Sequence, residues 1–208
     1  MFSFLNDLTP DAITHSLSTE CPPVVDLPDD SQALSIRRAA VLIPLIRAGN
    51  RWEIIYIRRA LNERDRHSGQ VAFAGGMWAA VDQSMTETAL REAWEEIGLI
   101  PDDVSLLGRL GCHHSIGGIE ITPVVATIPW PYSFRPDPSE VAQVFSIPLV
   151  WLANPAHYEI RDKNWKRVVK TVYYKPYEGE NLWGATARMT LSLISRLTAM
   201  KNPLKHKP

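Results

Sequence analysis

Cysteine is scarce in this chain of 208 residues: there are two, Cys21 and Cys112. They lie far apart and match no metal-ligand or redox spacing, so idle thiols in a reducing compartment are the expectation. No apolar run approaches the length of a bilayer span, so no membrane partner is expected. The N-terminal MFSFLNDLTPDAITHSL lacks a basic n-region and a long apolar core, and a signal peptide is not expected from it. These absences together read as a soluble, cytoplasmic protein. Charge of one sign is not in excess either. The formal net charge of −1 argues against a broad nucleic-acid surface, so no nucleic acid is expected as partner. There are no internal repeats.

What is present is ordinary globular material, with 45% hydrophobic and 22% charged residues. The length favours a single main domain. Its expected bounds are 36–200, after an N-terminal helix and linker (1–35) and before a frayed tail (201–208). Asn6 to Ser18 suits a short helix with Pro10 in its first turn. Ala39–Ile46 and Trp52–Ile57 read as a hairpin, with Pro44 better placed at an edge or bulge. Arg58 to Ser68 is strongly charged and reads as a loop or an irregular edge. Val71–Phe73, Val104–Leu110, Ile119–Ile128 and Trp165–Tyr174 read as strands, Val141–Ile147 as a strand or a strand-helix junction, and Trp130–Ser139, with three prolines, as a loop. Met189, Leu193, Leu197 and Met200 form a helical stripe within Ala185–Met200. Strands before and after one central helix, with a second helix at the end, predict an α+β fold with a mixed sheet between helices.

Chemistry concentrates in Gly75 to Leu99, GGMWAAVDQSMTETALREAWEEIGL. Ser84 followed by Glu87 reads as a capping box that starts the helix, and Gly98 is placed to end it at positive φ. A step of about 100° per residue puts Glu92, Glu95 and Glu96 on one arc, with Ala89, Leu90, Ala93, Trp94 and Ile97 toward a core. Like charges at this spacing cost roughly a few tenths of a kcal/mol per pair. A hard divalent cation with oxygen ligands reverses that cost, and a solvated acidic face is the plain alternative. The Gly75-Gly76 turn ahead of the arc, and Arg91 directly before it, favour the cation.

This stretch resembles the Nudix box, whose pattern is Gly, five residues, Glu, seven residues, then Arg-Glu-apolar-x-Glu-Glu-x-Gly-apolar. The second half is complete from Arg91 to Leu99. The first half, from Gly76 to Arg91, is one residue longer, so Asp82 or Gln83 stands in place of the early Glu. The extra residue also occurs in a subgroup resembling coenzyme A pyrophosphatases. Upstream, Arg59, Arg64, Gly69, Phe73, Gly75 and Gly76 are similar to that subgroup's signature. Ala60 and Ala74 replace its Ser and Pro, and one additional residue separates Arg64 from Gly69. The resemblance continues through Thr122-Pro123-Val124-Val125 and Trp183-Gly184.

The resemblance implies a Nudix-like α/β/α sandwich with a mixed β-sheet. It also implies metal-dependent hydrolysis of the diphosphate of coenzyme A or a derivative, giving 3′,5′-ADP and 4′-phosphopantetheine. Another nucleoside diphosphate derivative, or a non-catalytic nucleotide-sensing domain, is the alternative. Glu92 and Glu96 are the expected primary ligands of Mg²⁺ or Mn²⁺, and Glu95 would bind a second ion or orient water. Arg91 would orient the glutamates, or simply pair with Glu95 at i+4. Glu140 is the expected further carboxylate or base, with His113 or His114 in reserve. Substrate contacts are expected from Arg58, Arg59, Arg64, Gly69, Phe73, Gly75 and Gly76. The partner is a small nucleotide-type molecule, and a homodimer is left open.

Overall fold

The computed structural model describes residues 2–17, 37–63, 67–115, 118–164 and 168–200. Strands β1 (Arg37–Ala48) and β2 (Arg51–Arg59) form the expected hairpin, paired from Leu45↔Ile54 to Ala48↔Arg51. β3 (Val71–Ala72) lies against β2, and β4 (Gly75–Met77) against β1. β5 (Ser105–Arg109) and β6 (His113–His114) pair antiparallel with β7 (Ile119–Thr127), which runs parallel to β1. β8 (Val141–Pro148) adds to β2, completing an eight-stranded mixed sheet. β9 (Tyr158–Asn164) and β10 (Val168–Tyr174) form a separate hairpin.

Successive strand residues point to opposite faces, so β1 and β2 feed two cores. Ala40, Leu42, Ile46, Ile55 and Ile57 pack against Ala89, Ala93 and Ile97 of helix α2 (Met85–Ile97). Ile43, Leu45, Ile54 and Tyr56 face the other way. They meet Ile13 of α1 (Pro10–Ser16), Leu149 and Leu152 of α3 (Leu149–Leu152), and Ala187, Leu193 and Leu197 of α4 (Gly184–Ala199). The sheet thus lies between two helical layers, the α+β sandwich expected. Tyr56 joins the second layer to the sheet. Its ring stacks on Phe73 at 4.9 Å, and its hydroxyl bonds the Thr190 hydroxyl at 2.9 Å. Thr190 in turn donates to the Thr186 carbonyl.

Several local expectations change. Pro44 sits in a central strand, because β1 is flanked by β7 on one side and by β4, then β2, on the other. The Leu42 N–H donates to the Ala74 carbonyl on that second side, and Pro44 faces the same way at the change of neighbours. The missing N–H of proline is tolerated in that gap. Arg58 and Arg59 belong to β2, not to a loop, because β8 pairs with them. Gly75-Gly76 is not a turn but a strand, registered on Val41 and Ala40. Trp94 turns to solvent, 56% exposed, instead of to the core. Strand β9 was not read from the sequence. The expected strand at Trp165–Tyr174 is described from Val168, and Ser18, Trp165 and the tail lie outside the described residues. Cys112 is disulfide-bonded and so is not an idle thiol, which removes the thiol argument for a reducing compartment; Cys21 lies outside the described residues. No helix among the described residues is long and apolar enough to cross a membrane.

The Tyr56–Thr190 pair yields an ordered expectation. Tyr56→Phe removes one donor and should cost about 1 kcal/mol. Thr190→Val strands the buried Tyr56 hydroxyl and should cost more, up to about 3 kcal/mol. The double variant should be more stable than Thr190→Val alone. Urea denaturation of the three proteins measures the order, and additive losses would show that the hydroxyls do not serve each other.

Candidate active site

Helix α2 begins as the sequence suggests. Ser84 accepts from the Glu87 N–H at 3.2 Å, and Glu87 reaches back to the N–H of Gln83 at 2.7 Å. Gly98 closes the helix at φ +66°. Ahead of it, the Asp82 carboxylate is buried in the 77–84 loop. It takes the Ala79 N–H at 3.0 Å, the Thr88 hydroxyl at 2.9 Å, and both Nε and a terminal nitrogen of Arg91 at 2.9 and 3.0 Å. The two-pronged bond from Arg91 holds the Asp82 carboxyl well below the usual carboxylate range, and Asp82 pushes the guanidinium up.

Arg91 then hands charge onward. Its other terminal nitrogen donates to Glu92 and to Glu95, both at 2.9 Å, while the one shared with Asp82 also donates to the Met77 carbonyl at 3.1 Å. The orienting and the i+4 readings of Arg91 are therefore both realised in one side chain. Asp82 was absent from the expected site residues. Its place at the early Glu of the box was the available signal, and the structure separates it from Gln83 by giving it the Arg91 bond.

The acidic arc divides. Glu95 stays at the solvent end, on Arg91. Glu96 is 3% exposed and accepts the Gly75 N–H at 3.1 Å. Burial pushes its carboxyl up to about 8; the charges of Glu140 and Glu92 add to the rise, and the Gly75 bond and Arg59 oppose it. Burial also raises Glu92, with Arg91 opposing and Glu95 and Glu140 adding. The charges of Glu92 from α2, Glu140 from the β7–β8 connection and Arg59 from the end of β2 are thus felt at Glu96.

The donor set suits a hard cation. It is all oxygen and like-charged, and its buried member, Glu96, is costly to hold without a counter-charge. Among the described residues, no three acidic, histidine or cysteine side chains already converge on one point. Glu92 and Glu95 are turned to Arg91 instead.

The upstream residues fare unevenly. Arg58 bonds the buried Glu180 at 2.8 Å, which spends its charge on linking β2 to the turn after β10. Phe73 is 3% exposed and lies in the core on Tyr56, so it presents no face to a ligand. Gly69 takes φ +68° in a turn beside Leu61. Arg64 lies outside the described residues. Of the reserve bases, burial pushes His113 down to about 4, with Arg188 and His114 adding. Arg188 belongs to α4, on the sheet face opposite α2, so His113 is not turned to the carboxylates.

The two box glycines are small for different reasons. A methyl at Gly75 would collide with the Ala40 carbonyl and the Val41 Cα, which are backbone and cannot yield. At Gly76 the atoms nearest an added methyl are those of the Glu92 carboxylate, the end of a flexible side chain. Gly75→Ala should therefore lose about 3 kcal/mol of stability or more. Gly76→Ala should lose roughly 1 kcal/mol or less, while displacing Glu92 and slowing turnover at least about ten-fold. Denaturation and steady-state kinetics on both variants check the split; equal stability losses would remove it.

The NUDIX domain family matches residues 36–173 of this chain. The chain is 37% identical over 162 residues to the uncharacterised Nudix hydrolase NudL of Pectobacterium atrosepticum, covering 78% of this chain and 83% of the relative. It is 35% identical over 176 residues to the uncharacterised NudL of Photorhabdus laumondii, covering 85% and 90%. Among solved structures it is similar to the Nudix hydrolase RenU of M. smegmatis, with TM-score 0.49 at 16% identity, covering 83% of this chain and 90% of that one. Nudix hydrolases generally need divalent cations. With the box residues gathered as described and most of its length matched, the chain belongs to the Nudix family and is a hydrolase of a pyrophosphate linkage.

Proposed function

We propose that this chain cleaves the diphosphate of coenzyme A or a derivative, in the presence of Mg²⁺ or Mn²⁺, releasing 3′,5′-ADP and 4′-phosphopantetheine. The observation that carries the hydrolytic part is the buried Glu96 carboxylate, held by the Gly75 N–H within the family's box and raised further by the charges of Glu92 and Glu140. In this reading Glu92 and Glu96 would hold the cation. Once bound, such an ion offsets phosphate charge and makes water more acidic. Arg91, fixed by Asp82, keeps Glu92 and Glu95 in register. Glu95, at the solvent end of the arc, orients water or takes a second ion. Glu140 accepts the proton of the attacking water. Arg59 opposes the negative charge of the diphosphate.

The coenzyme A part rests on the upstream resemblance, through Arg59, Arg64, Gly75 and Gly76. A specific observation keeps the broader reading open. Arg58 is committed to Glu180 and Phe73 to the core, so two members of the expected substrate set give no support to that subgroup. Another nucleoside diphosphate derivative is then the substrate class.

A diphosphate panel with Mg²⁺, Mn²⁺ or EDTA separates these. Coenzyme A carries a 3′-phosphate that dephospho-coenzyme A lacks, and a guanidinium is its natural partner. The wild type should prefer coenzyme A, with activity lost in EDTA. Arg59→Ala or Arg64→Ala should cost roughly ten- to a hundred-fold in kcat/KM on it. Equal rates on both substrates, unchanged by these variants, would remove coenzyme A and leave the broader reading. No metal-dependent cleavage of any diphosphate would remove both.

The buried Glu96 also gives a pH dependence. Its carboxyl moves from 4.5 to about 8 on folding, so folding favours the protonated form. The corresponding stability is fully present below pH 4.5 and is lost as pH rises through about 8. Glu96→Gln should be the more stable protein in EDTA at pH 9, and the difference should shrink toward pH 5. Thermal unfolding across that range tests it; a pH-independent difference would contradict the buried-carboxylate assignment. The same variant should lose most turnover with the fold intact.

A further inference from the structure

The long connection between β7 and β8 ends in a turn tied to the site on both sides. The Asp137 N–H donates to the carbonyl of Glu96 at 2.9 Å, and the Arg135 N–H to that of Ile97 at 2.9 Å, so the approach to the turn is strapped to the end of α2. The Asp137 carbonyl accepts from the N–H groups of Glu140 at 3.0 Å and Val141 at 2.8 Å. Its carboxylate Oδ1 accepts from Ser139 twice, from the N–H at 2.8 Å and from the hydroxyl at 2.7 Å. The Glu140 carbonyl then receives the Ala60 N–H at 2.8 Å, next to Arg59.

Pro136 and Pro138 flank Asp137, and the carboxylate accepts the Ser139 N–H that follows Pro138. Asp is also the residue type favoured at the first position of such a turn, with Pro second. The set thus runs from the Glu96 and Ile97 carbonyls, through Asp137, to the backbone of Glu140. Asp137 itself is exposed, and its carboxylate is engaged by Ser139.

We propose that Asp137 is a positioning residue, whose carboxylate closes the turn that holds Glu140 against Glu92 and Glu96. This rests on the proposed role of Glu140. Asp137→Ala opens the turn, whereas Asp137→Asn keeps the Oδ1 acceptor. Hydrogen exchange reads the positioning without substrate. The Ala60 amide, bonded to the Glu140 carbonyl, should exchange faster in Asp137→Ala and return toward wild type in Asp137→Asn. Kinetics on coenzyme A and Mg²⁺ read the consequence. Asp137→Ala should lower kcat roughly ten- to a hundred-fold with little change in KM, as a small misplacement of a reacting group does. Added to Glu140→Gln, it should cost almost nothing more, because a residue acting through another is not additive with it. Unchanged exchange at Ala60, or losses that add fully in the double variant, would overturn the inference. Inert behaviour of Glu140→Gln beside altered exchange would instead overturn the role of Glu140. Absence of hydrolysis in the wild type would overturn the function while the exchange result still decides the positioning.

Discussion

A carboxylate pressed into the seam between a helix and a sheet is the constraint on which the site depends. Glu96 is nearly as buried as the alanines beside it, yet it is an acid. Such a group is held by hydrogen bonds, by protonation or by a cation, because bare burial of its charge is costly. The fold supplies one bond, the Gly75 N–H. It supplies that bond by bringing α2 very close to β4. Ala89 and Ala93 keep the helix near the sheet, and the two glycines keep the sheet from filling the gap. Small residues on both sides thus serve the same end.

The second organising contact lies at the other end of the arc. Crowded glutamates would repel into separate rotamers without a neighbouring cation. Arg91 meets two of them, and its own plane is fixed by the fork from Asp82. Asp82 is fixed in turn by Thr88 and by the Ala79 N–H. The order of dependence runs from loop to aspartate to arginine to glutamates. The Gly-Gly strand, the loop and the helix therefore behave as one unit, even though Glu95 reaches solvent and Glu96 does not.

The opposite face of the sheet does different work. Tyr56, Phe73, Thr190 and the α4 apolar stripe form a layer that never meets the carboxylates. Phe73 and Arg58 illustrate how sequence order misleads here. Both lie within a few residues of the site, but a strand sends neighbours to opposite faces, and a long side chain goes to the partner it finds. For Arg58 that partner is Glu180, distant in sequence.

By itself, the sequence determined the elements whose causes are local. Ser84, Glu87 and Gly98 mark the helix through capping chemistry, the alternation of apolar residues marks the hairpin, and the box from Arg91 to Leu99 marks the family. Glu140 could be nominated because it starts the strand that follows the long proline-rich loop. Tertiary structure alone decided what depends on contacts distant in the chain. It made Gly75-Gly76 a strand by pairing it with Val41 and Ala40, and it put Pro44 in a central strand by changing its neighbour there. It chose Asp82 as the partner of Arg91, buried Glu96 while leaving Glu95 in water, and brought Glu140 and Arg59 to the same carboxylates. A spacing of residues fixes a direction around a helix. Only the surface packed against that helix fixes which of those directions is dry, and dryness is what gives each acid its separate character.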